Sequence, residues 1–216
     1  MSKTGGRSAV FLSRLILDAN HPQAKSEWDH PYELHRTVCR AFEDPEGARI
    51  LFRADRDRPG EVHVIVQSLV PPDWDRLENN DGYIKDFGEP KLIELTGLRK
   101  ELPLRFRLRC RPSKRIGKLG HEDQGKRRSL TERDEIFAWL HRKAEESGFK
   151  VEEAGFDRIY WCESKGGKDQ KPLGAVQFDG VLVVTDPEKL RDAVRKGIGP
   201  QKAYGFGLLS LAPLRE

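Results

Sequence analysis

The chain has 216 residues, of which 37% are hydrophobic and 34% are charged. This length allows one large domain or two small ones, and the content of large apolar side chains excludes a disordered protein. No apolar run approaches the roughly 18 residues that cross a bilayer, and the first residues lack the pattern of a signal peptide, so we expect a soluble protein of the cytoplasm.

The first residues with a clear pattern predict a strand followed by a helix. Residues 1–9 are small and polar, and we expect them to form a flexible extension. Residues 10–17 are dense in β-branched and large apolar side chains, which favours a strand. A loop that contains Pro22 then leads to a helix. This helix is predicted to begin near Asp29, its N-cap, and to end near Asp44, because a proline follows.

A hairpin is predicted next, and a weakly patterned stretch follows it. Residues 49–55 and 61–69 form its two strands, since valines alternate with polar residues in the second strand and an Arg-Pro-Gly turn lies between them. Residues 71–100 have no strong periodicity. We expect a short helix and an edge strand there.

Residues 104–110 predict a strand that opens a second unit. Four arginines alternate with apolar residues and share one face, namely Arg105, Arg107, Arg109 and Arg111. A glycine- and lysine-rich loop over 112–129 leads to a helix that begins at Thr131. The remaining predicted elements are strands at 149–151 and 158–163, a hairpin over 174–185 that turns at Asp179 and Gly180, a helix capped by Asp186 that ends at Gly197, and a strand at 208–212.

The order of these elements predicts the fold class. Strand, helix, hairpin, weak helix and strand occur twice, which is the order of two tandem ferredoxin-like βαββαβ domains in an α+β protein. We place the N-terminal domain at residues 10–100 and the C-terminal domain at residues 101–216. Because no residue-level repeat is visible, the duplication rests on element order alone.

Tyr32 and His35 are the candidate catalytic residues. On a helix they are neighbours one turn apart, at the edge of an apolar stripe that starts at Leu34. RNA carries its own nucleophile, the 2′-hydroxyl, so its cleavage needs proton transfers for which histidine is suited, and tyrosine can hold the nucleophile or a phosphate oxygen. By itself the pair is a weak signal, and the residues alone favour a partly buried histidine with a local hydrogen bond.

A glycine-rich segment near the C-terminus is a candidate phosphate-binding loop. Gly197, Gly199, Gly205 and Gly207 surround Lys202 between a predicted helix and a predicted strand. Glycines allow positive φ and close approach of a ligand, and successive amides can bind an anion. A helix C-cap followed by a tight turn is the alternative. The order of elements excludes a P-loop or a dinucleotide fingerprint, which need a strand before the glycines and a helix after them.

Two basic segments lie in the second half of the chain. The residues of the first are Lys114, Arg115, Lys118, Lys126, Arg127 and Arg128, and those of the second are Lys165, Lys168 and Lys171. An RNA hairpin is held mainly through phosphates and shape, which suits lysine and arginine, although solvated charge runs look the same in a sequence.

No metal or cofactor motif is present in the sequence. It lacks a His-Glu-x-x-His motif and a dense carboxylate group, and Cys39, Cys110 and Cys162 lack the spacing of a zinc site or disulfide framework. We therefore expect metal-independent chemistry without a cofactor, and we interpret the cysteines as small core residues.

With these segments placed, the chain resembles the CasE family, the repeat-processing subunits of the type I-E CRISPR Cascade complex in the repeat-associated RNA-binding superfamily. The matching segments are residues 31–36, residues 104–109 with Pro112 and Lys114 beyond them, residues 138–140, and the closing pattern from Gly197 to Pro213. They occur in family order from about residue 10 to the end. Residues 1–9 exceed the usual family start, and residues 71–100 match loosely.

The resemblance implies an endoribonuclease with two ferredoxin-like domains. Such a protein cuts CRISPR repeat RNA at the base of its stem-loop without metal, leaves a cyclic phosphate and a 5′-hydroxyl, and stays on the hairpin as a Cascade subunit. By the motif match His35 is the catalytic histidine and Tyr32 its partner. Lys126, Arg127 or Arg128 would supply a third side chain near the catalytic pair. Lys165 and Lys168 would bind the groove of the RNA.

The expected RNA contacts come from the basic and glycine-rich segments. They are Arg36, Arg105, Arg107, Lys114, Arg115, Lys126, Arg127, Arg128, Lys165, Lys168, Gly199, Lys202, Gly205 and Gly207. Two alternatives stay open, a structural subunit that holds a repeat hairpin without cutting it and a metal-dependent nuclease.

Overall fold

The computed structural model describes residues 9–77, 80–115, 127–163 and 171–214, with the backbone alone at residues 80, 160–163 and 171–174. Three of the predicted RNA contacts, Lys126, Lys165 and Lys168, lie outside the described residues. Among the helices of these ranges, none is long and apolar enough to span a membrane.

The first sheet is antiparallel and contains five strands in the order β2-β3-β1-β4, with β5 also paired to β1. The strands are β1 (Ala9–Asp18), β2 (Leu51–Asp55), β3 (Glu61–Ser68), β4 (Ile84–Phe87) and β5 (Lys91–Glu94). The hairpin predicted over residues 49–69 is confirmed as β2 and β3. Between β3 and β4 the described residues form only two short 3-10 turns, Trp74–Arg76 and Asn80–Gly82.

Three helices lie between β1 and β2, where the sequence predicted one. They are α1 (Pro22–Asp29), α2 (Pro31–Arg40) and the single turn α3 (Pro45–Ala48). The predicted loop at Pro22 is wrong because this proline occupies the first turn of α1, a position that suits its fixed φ and missing N–H. The predicted N-cap Asp29 is also wrong, since Asp29 ends α1 and His30 precedes α2.

The predicted end of this helix near Asp44 is four residues late. Helix α2 stops at Arg40, and Asp44 begins α3 instead, because its carboxylate accepts a hydrogen bond from the Gly47 amide at 3.0 Å. Helix α2 is fixed against α1 by a buried carboxylate. Glu27 accepts a 2.6 Å hydrogen bond from the Thr37 hydroxyl and another from the Tyr83 phenol.

The second sheet is antiparallel with the order β11-β6-β10-β9. Its strands are β6 (Pro103–Cys110), β9 (Phe149–Glu163), β10 (Lys171–Val184) and β11 (Leu209–Pro213), and its helices are α4 (Arg133–Glu146) and α5 (Pro187–Lys196). In each unit the last strand lies beside the first, the first beside the third and the third beside the second. This order confirms two ferredoxin-like domains, and the boundary between residues 100 and 101 stays a prediction.

Three sequence predictions in the second unit are wrong. Residues 149–151 and 158–163 belong to one strand, β9. The turn predicted at Asp179 and Gly180 does not occur, because β10 continues through both residues and a β-carbon at Gly180 would lie 2.0 Å from the Glu153 carbonyl oxygen. The lack of a side chain at Gly180 therefore allows β9 and β10 to lie close together. The sequence placed residues 112–129 in a loop, but two short strands within this range pair with each other. They are β7 (Ser113–Arg115) and β8 (Arg127–Ser129).

The arginine face of β6 is only partly open. Leu104, Phe106, Leu108 and Cys110 are buried on one side, as the alternation predicts. Arg109 on the other side is buried as well, and its guanidinium donates to the Ala54 carbonyl at 2.6 Å and to the Asp55 carboxylate at 2.5 Å. The arginine therefore joins the two domains, because Asp55 ends strand β2 of the first sheet.

A second arginine completes this contact between the domains. Arg53 donates to Asp55 at 2.8 Å and to the Ser210 hydroxyl of β11 at 2.7 Å. Burial alone would raise the pKa of Asp55, but the charges of Arg53 and Arg109 outweigh it and hold that pKa below its usual value. Asp55 is therefore ionised in the folded protein at neutral pH and binds both arginines.

We predict that Asp55→Ala lowers the free energy of unfolding by about 3 to 5 kcal/mol, because it leaves Arg109 buried without its carboxylate. Urea denaturation at pH 7 measures the change. The control is Asp86→Ala, which removes the exposed pair with Arg14 and should cost at most about 1 kcal/mol. The contribution of Asp55 should disappear as the pH falls below about 4, since its folded pKa is the lower one. Equal losses in the two variants contradict the prediction.

Candidate active site

Helix α2 carries Tyr32 and His35 on the side next to the second domain. Leu34 and Val38 are buried in the first core, His35 is half-buried at the edge of that stripe, and Tyr32 is 48% exposed. The ring centroids of Tyr32 and His35 are 5.9 Å apart. The structure therefore brings the two predicted catalytic residues together, with the tyrosine open to a ligand and the histidine partly shielded.

The imidazole of His35 lies between an aromatic ring and a thiol. The ring of Phe52, on β2, is stacked against it with a centroid distance of 6.0 Å and an interplanar angle of 10°. Cys39, one turn along α2, has its sulfur 3.6 Å from Nε2 and 3.7 Å from Nδ1. Burial lowers the pKa of His35 and so favours the neutral imidazole at pH 7. A neutral imidazole can accept a proton.

The glycine-rich segment of the second domain packs directly against this site. It contains a 3-10 turn, Lys202–Tyr204, and the ring of Tyr204 lies 5.8 Å from that of Tyr32. Gly205 follows with φ +77°, and a β-carbon there would lie 3.2 Å from Cε2 of Phe52. Gly205 therefore allows both the turn and the close approach of the two domains.

Other residues of this segment also have partners within the protein. Lys202 donates to the Gly199 carbonyl at 2.9 Å, and burial, followed by the charge of Lys143, lowers the pKa of Lys202. Gly199 faces the buried Trp139, and Gly207 accepts a hydrogen bond from the Ile198 amide at 2.9 Å. These contacts agree with the turn that the sequence left open as an alternative, and RNA binding by the segment stays a prediction.

The predicted basic contacts are spread over several surfaces. Arg36 is exposed on α2 and paired with Glu33 at 3.1 Å. On the outer face of the second sheet, Arg105 is exposed and Arg107 is paired with Asp179 at 2.6 Å. These two arginines line a groove of about 580 Å³.

The hairpin β7–β8 holds the remaining described basic candidates. Lys114 lies 2.5 Å and Arg128 4.0 Å from Glu135 at the start of α4. Arg127 donates to the Ser113 hydroxyl at 3.5 Å, and Arg115 is exposed. Lys114 and Arg128 thus lie beside the first turn of α4.

Three residues of the site were missed by the sequence analysis. Cys39 was interpreted as a core residue, although its position one turn after His35 is visible in the sequence. Phe52 and Tyr204 reach the site only through contacts between distant segments, which no local pattern reveals. In the described part of the chain, no group of three or more His, Cys, Asp or Glu residues could hold a metal ion.

Both the sequence and the fold match known proteins. A family model described as CRISPR associated protein matches residues 10–213. The CRISPR-associated endoribonuclease Cse3 of Thermus thermophilus is 38% identical over 94% of this chain and 100% of its own length. The Cascade subunit CasE of Escherichia coli K12 is 33% identical over 95% of this chain and 100% of its own length. A structure of Cse3 bound to a 19-nucleotide RNA matches with a TM-score of 0.84 and 36% identity, over 95% of this chain and 100% of that one.

We predict that His35 titrates below the ordinary histidine pKa of about 6.5, because its charged form is partly desolvated. NMR titration of the imidazole resonances, assigned with His35→Gln, measures this value. Since the unfolded chain then binds more protons than the folded one, this residue makes the protein less stable as the pH falls below about 6.5. A measured pKa of His35 at or above about 6.5 contradicts the prediction.

Proposed function

The chain belongs to the family of CRISPR-associated proteins, and on that basis we propose that it is an endoribonuclease that cuts CRISPR repeat RNA at the base of its stem-loop. The main support for the proposal is the contact between two side chains on α2. Tyr32 is exposed, and it lies next to His35, which is half-buried and whose lowered pKa favours the neutral imidazole. The matched relatives include an endoribonuclease that the match covers over its full length, and the pair lies within the matched region.

The proposed reaction uses the 2′-hydroxyl of the substrate as nucleophile. Neutral His35 takes the proton of this hydroxyl, whose oxygen then attacks the adjacent phosphorus. The bond to the 5′-oxygen breaks, that oxygen takes up a proton from solvent, and protonated His35 afterwards releases its own proton to solvent. The products are a 2′,3′-cyclic phosphate and a 5′-hydroxyl. Tyr32 donates a hydrogen bond to a phosphate oxygen or to the nucleophile. General base catalysis of this kind accelerates a reaction by about 10² to 10⁴-fold.

Basic side chains are proposed to hold the RNA and to stabilise the charge of the transition state. Arg36 is nearest to the pair in the sequence and is exposed beside it on α2. Arg105, Arg107 and the β7–β8 hairpin offer further cations on the second domain. The third group at the reacting phosphate stays assigned to Lys126, Arg127 or Arg128, and contacts by Lys165 and Lys168 with the RNA groove stay part of the proposal.

After cleavage we propose that the protein keeps the hairpin of the mature crRNA and acts as a subunit of Cascade. The support is the match to the Cascade subunit CasE over the full length of that protein. We further propose that the reaction needs neither metal nor cofactor and takes place in the cytoplasm. Proton transfer by a side chain together with the substrate hydroxyl needs neither group.

We predict that His35→Ala slows single-turnover cleavage of repeat RNA in EDTA by about 10² to 10⁴-fold while the dissociation constant for RNA stays nearly unchanged. Labelled repeat RNA from the CRISPR array of the source organism is the substrate, and gel analysis gives the rate. The control is His141→Ala, which removes an exposed imidazole on α4. It should cut at the wild-type rate.

Three results would contradict the proposed function. Wild-type protein that binds the hairpin without cutting it would indicate a structural subunit. Activity that is lost in EDTA and returns with a divalent cation would indicate a metal-dependent nuclease. An His35→Ala variant that cuts at the wild-type rate would remove His35 from the mechanism.

A further inference from the structure

We propose that Phe52 and Cys39 are positioning residues for His35, and that they set the orientation and the protonation state in which its imidazole reacts. The inference rests on the proposed function, because it concerns the histidine that performs the reaction there. Phe52 is buried and Cys39 is half-buried beside the imidazole, and both act through His35.

Phe52 defines the plane of the imidazole. Its ring is 1% exposed and lies on the rigid strand β2, and the 10° angle makes the two rings almost parallel. Offset parallel stacking is a favoured arrangement of aromatic rings, so this contact stabilises the observed orientation of the imidazole. The apolar surface of Phe52 also excludes water from one face of His35, which agrees with the lowered pKa of the histidine.

Cys39 restrains the imidazole from the helix itself. Its sulfur, four positions along the helix, lies 3.6 Å from Nε2 and 3.7 Å from Nδ1. Burial raises the pKa of Cys39, so the thiol keeps its proton at neutral pH and packs against the imidazole as a small uncharged group. Because the sulfur is almost equidistant from the two nitrogens, it restrains the ring without occupying the lone pair of either, and a neutral His35 keeps one nitrogen free to take the substrate proton.

The second domain packs against the same phenylalanine. Gly205 lies so near Phe52 that a β-carbon on it would be 3.2 Å from Cε2, and the neighbouring Tyr204 contacts Tyr32 from the same turn. The glycine-rich segment, Phe52, His35 and Cys39 therefore form one continuous stack across the domain boundary. In this view the segment supports the catalytic histidine through packing, in addition to any contact with RNA.

Positioning of this kind has a kinetic consequence. A general base must come within about 2.6 to 3.2 Å of the proton that it removes, and a displacement near 1 Å can cost about 10²-fold in rate. Loss of either neighbour should therefore reduce the rate of the chemical step while leaving RNA affinity intact. Loss of Phe52 should also admit water to the imidazole and raise the pKa of His35.

The test compares Phe52→Leu with Phe42→Leu, a second buried phenylalanine of the same core. Single-turnover cleavage is measured across pH 5 to 8, with RNA affinity measured by fluorescence anisotropy. We expect Phe52→Leu to lower the plateau rate by roughly tenfold or more and to shift the acidic limb of the profile toward about pH 6.5. Phe42→Leu loses the same side-chain atoms from the core and should keep the wild-type profile.

Cys39 is tested by a pair of variants in the same assay. Cys39→Ala removes the sulfur that packs against the imidazole and should slow cleavage, whereas Cys39→Ser restores a side chain of similar size and should recover most of the rate. If Phe52→Leu does not fold, the Cys39 variants still test the proposal. Cys39 is only half-buried, so its substitution should disturb the core less.

Wild-type rates and pH profiles in Phe52→Leu and Cys39→Ala would overturn the inference, provided that His35→Ala is inactive. A slow Phe52→Leu variant whose profile keeps the wild-type pH dependence would also overturn it, since this is the effect of a general loss of packing. If His35→Ala itself cuts at the wild-type rate, the proposed function fails instead.

Discussion

The docking of the glycine-rich segment on β2 and α2 is the constraint on which the rest of the site depends. Tyr32, His35 and Phe52 belong to the first domain, and their surroundings are completed by Tyr204 and Gly205 of the second. Neither domain alone contains the whole arrangement. The mutual placement of two ferredoxin-like units therefore decides the geometry of one histidine.

Buried and partly buried polar groups with defined partners contribute to the contact between the domains. Besides the Asp55 cluster, the Gln67 amide donates to the Val194 carbonyl at 2.7 Å, and Arg191 donates to the Leu95 and Leu98 carbonyls at 3.0 and 3.1 Å. Such contacts contribute little net free energy when formed but are costly to break, so they favour one orientation over neighbouring ones. The apolar cores overlap as well, because Val10 and Leu95 of the first unit pack in the core of the second.

The sequence predicted local structure best where one residue type decides it. Asp186 caps α5 through the amides of Glu188 and Lys189, and Gly197 ends that helix with φ +71°, both as predicted. Proline and glycine misled the prediction where tertiary structure chose among their uses. Pro22 begins a helix instead of a loop, and Gly180 permits close strand packing instead of a turn.

The candidate site could be predicted only in part for the same reason. Tyr32 and His35 share a helix, so their spacing placed them together. Arg109 looked like part of a basic face, yet its pairing with Asp55 depends on how two sheets meet, and the place of Phe52 beside His35 depends on the docking of β2. Contacts of this kind join residues that are far apart in sequence, and periodicity carries no information about them.

The chemistry at His35 is tested most directly by the ends that cleavage leaves on the RNA. The wild-type protein is incubated with its repeat hairpin in EDTA, and the fragments are analysed by mass spectrometry. Attack by the 2′-hydroxyl with proton transfer by His35 predicts a 2′,3′-cyclic phosphate on the upstream fragment and a 5′-hydroxyl on the downstream one. A 3′-hydroxyl paired with a 5′-phosphate would contradict this mechanism, because those ends require water as the nucleophile.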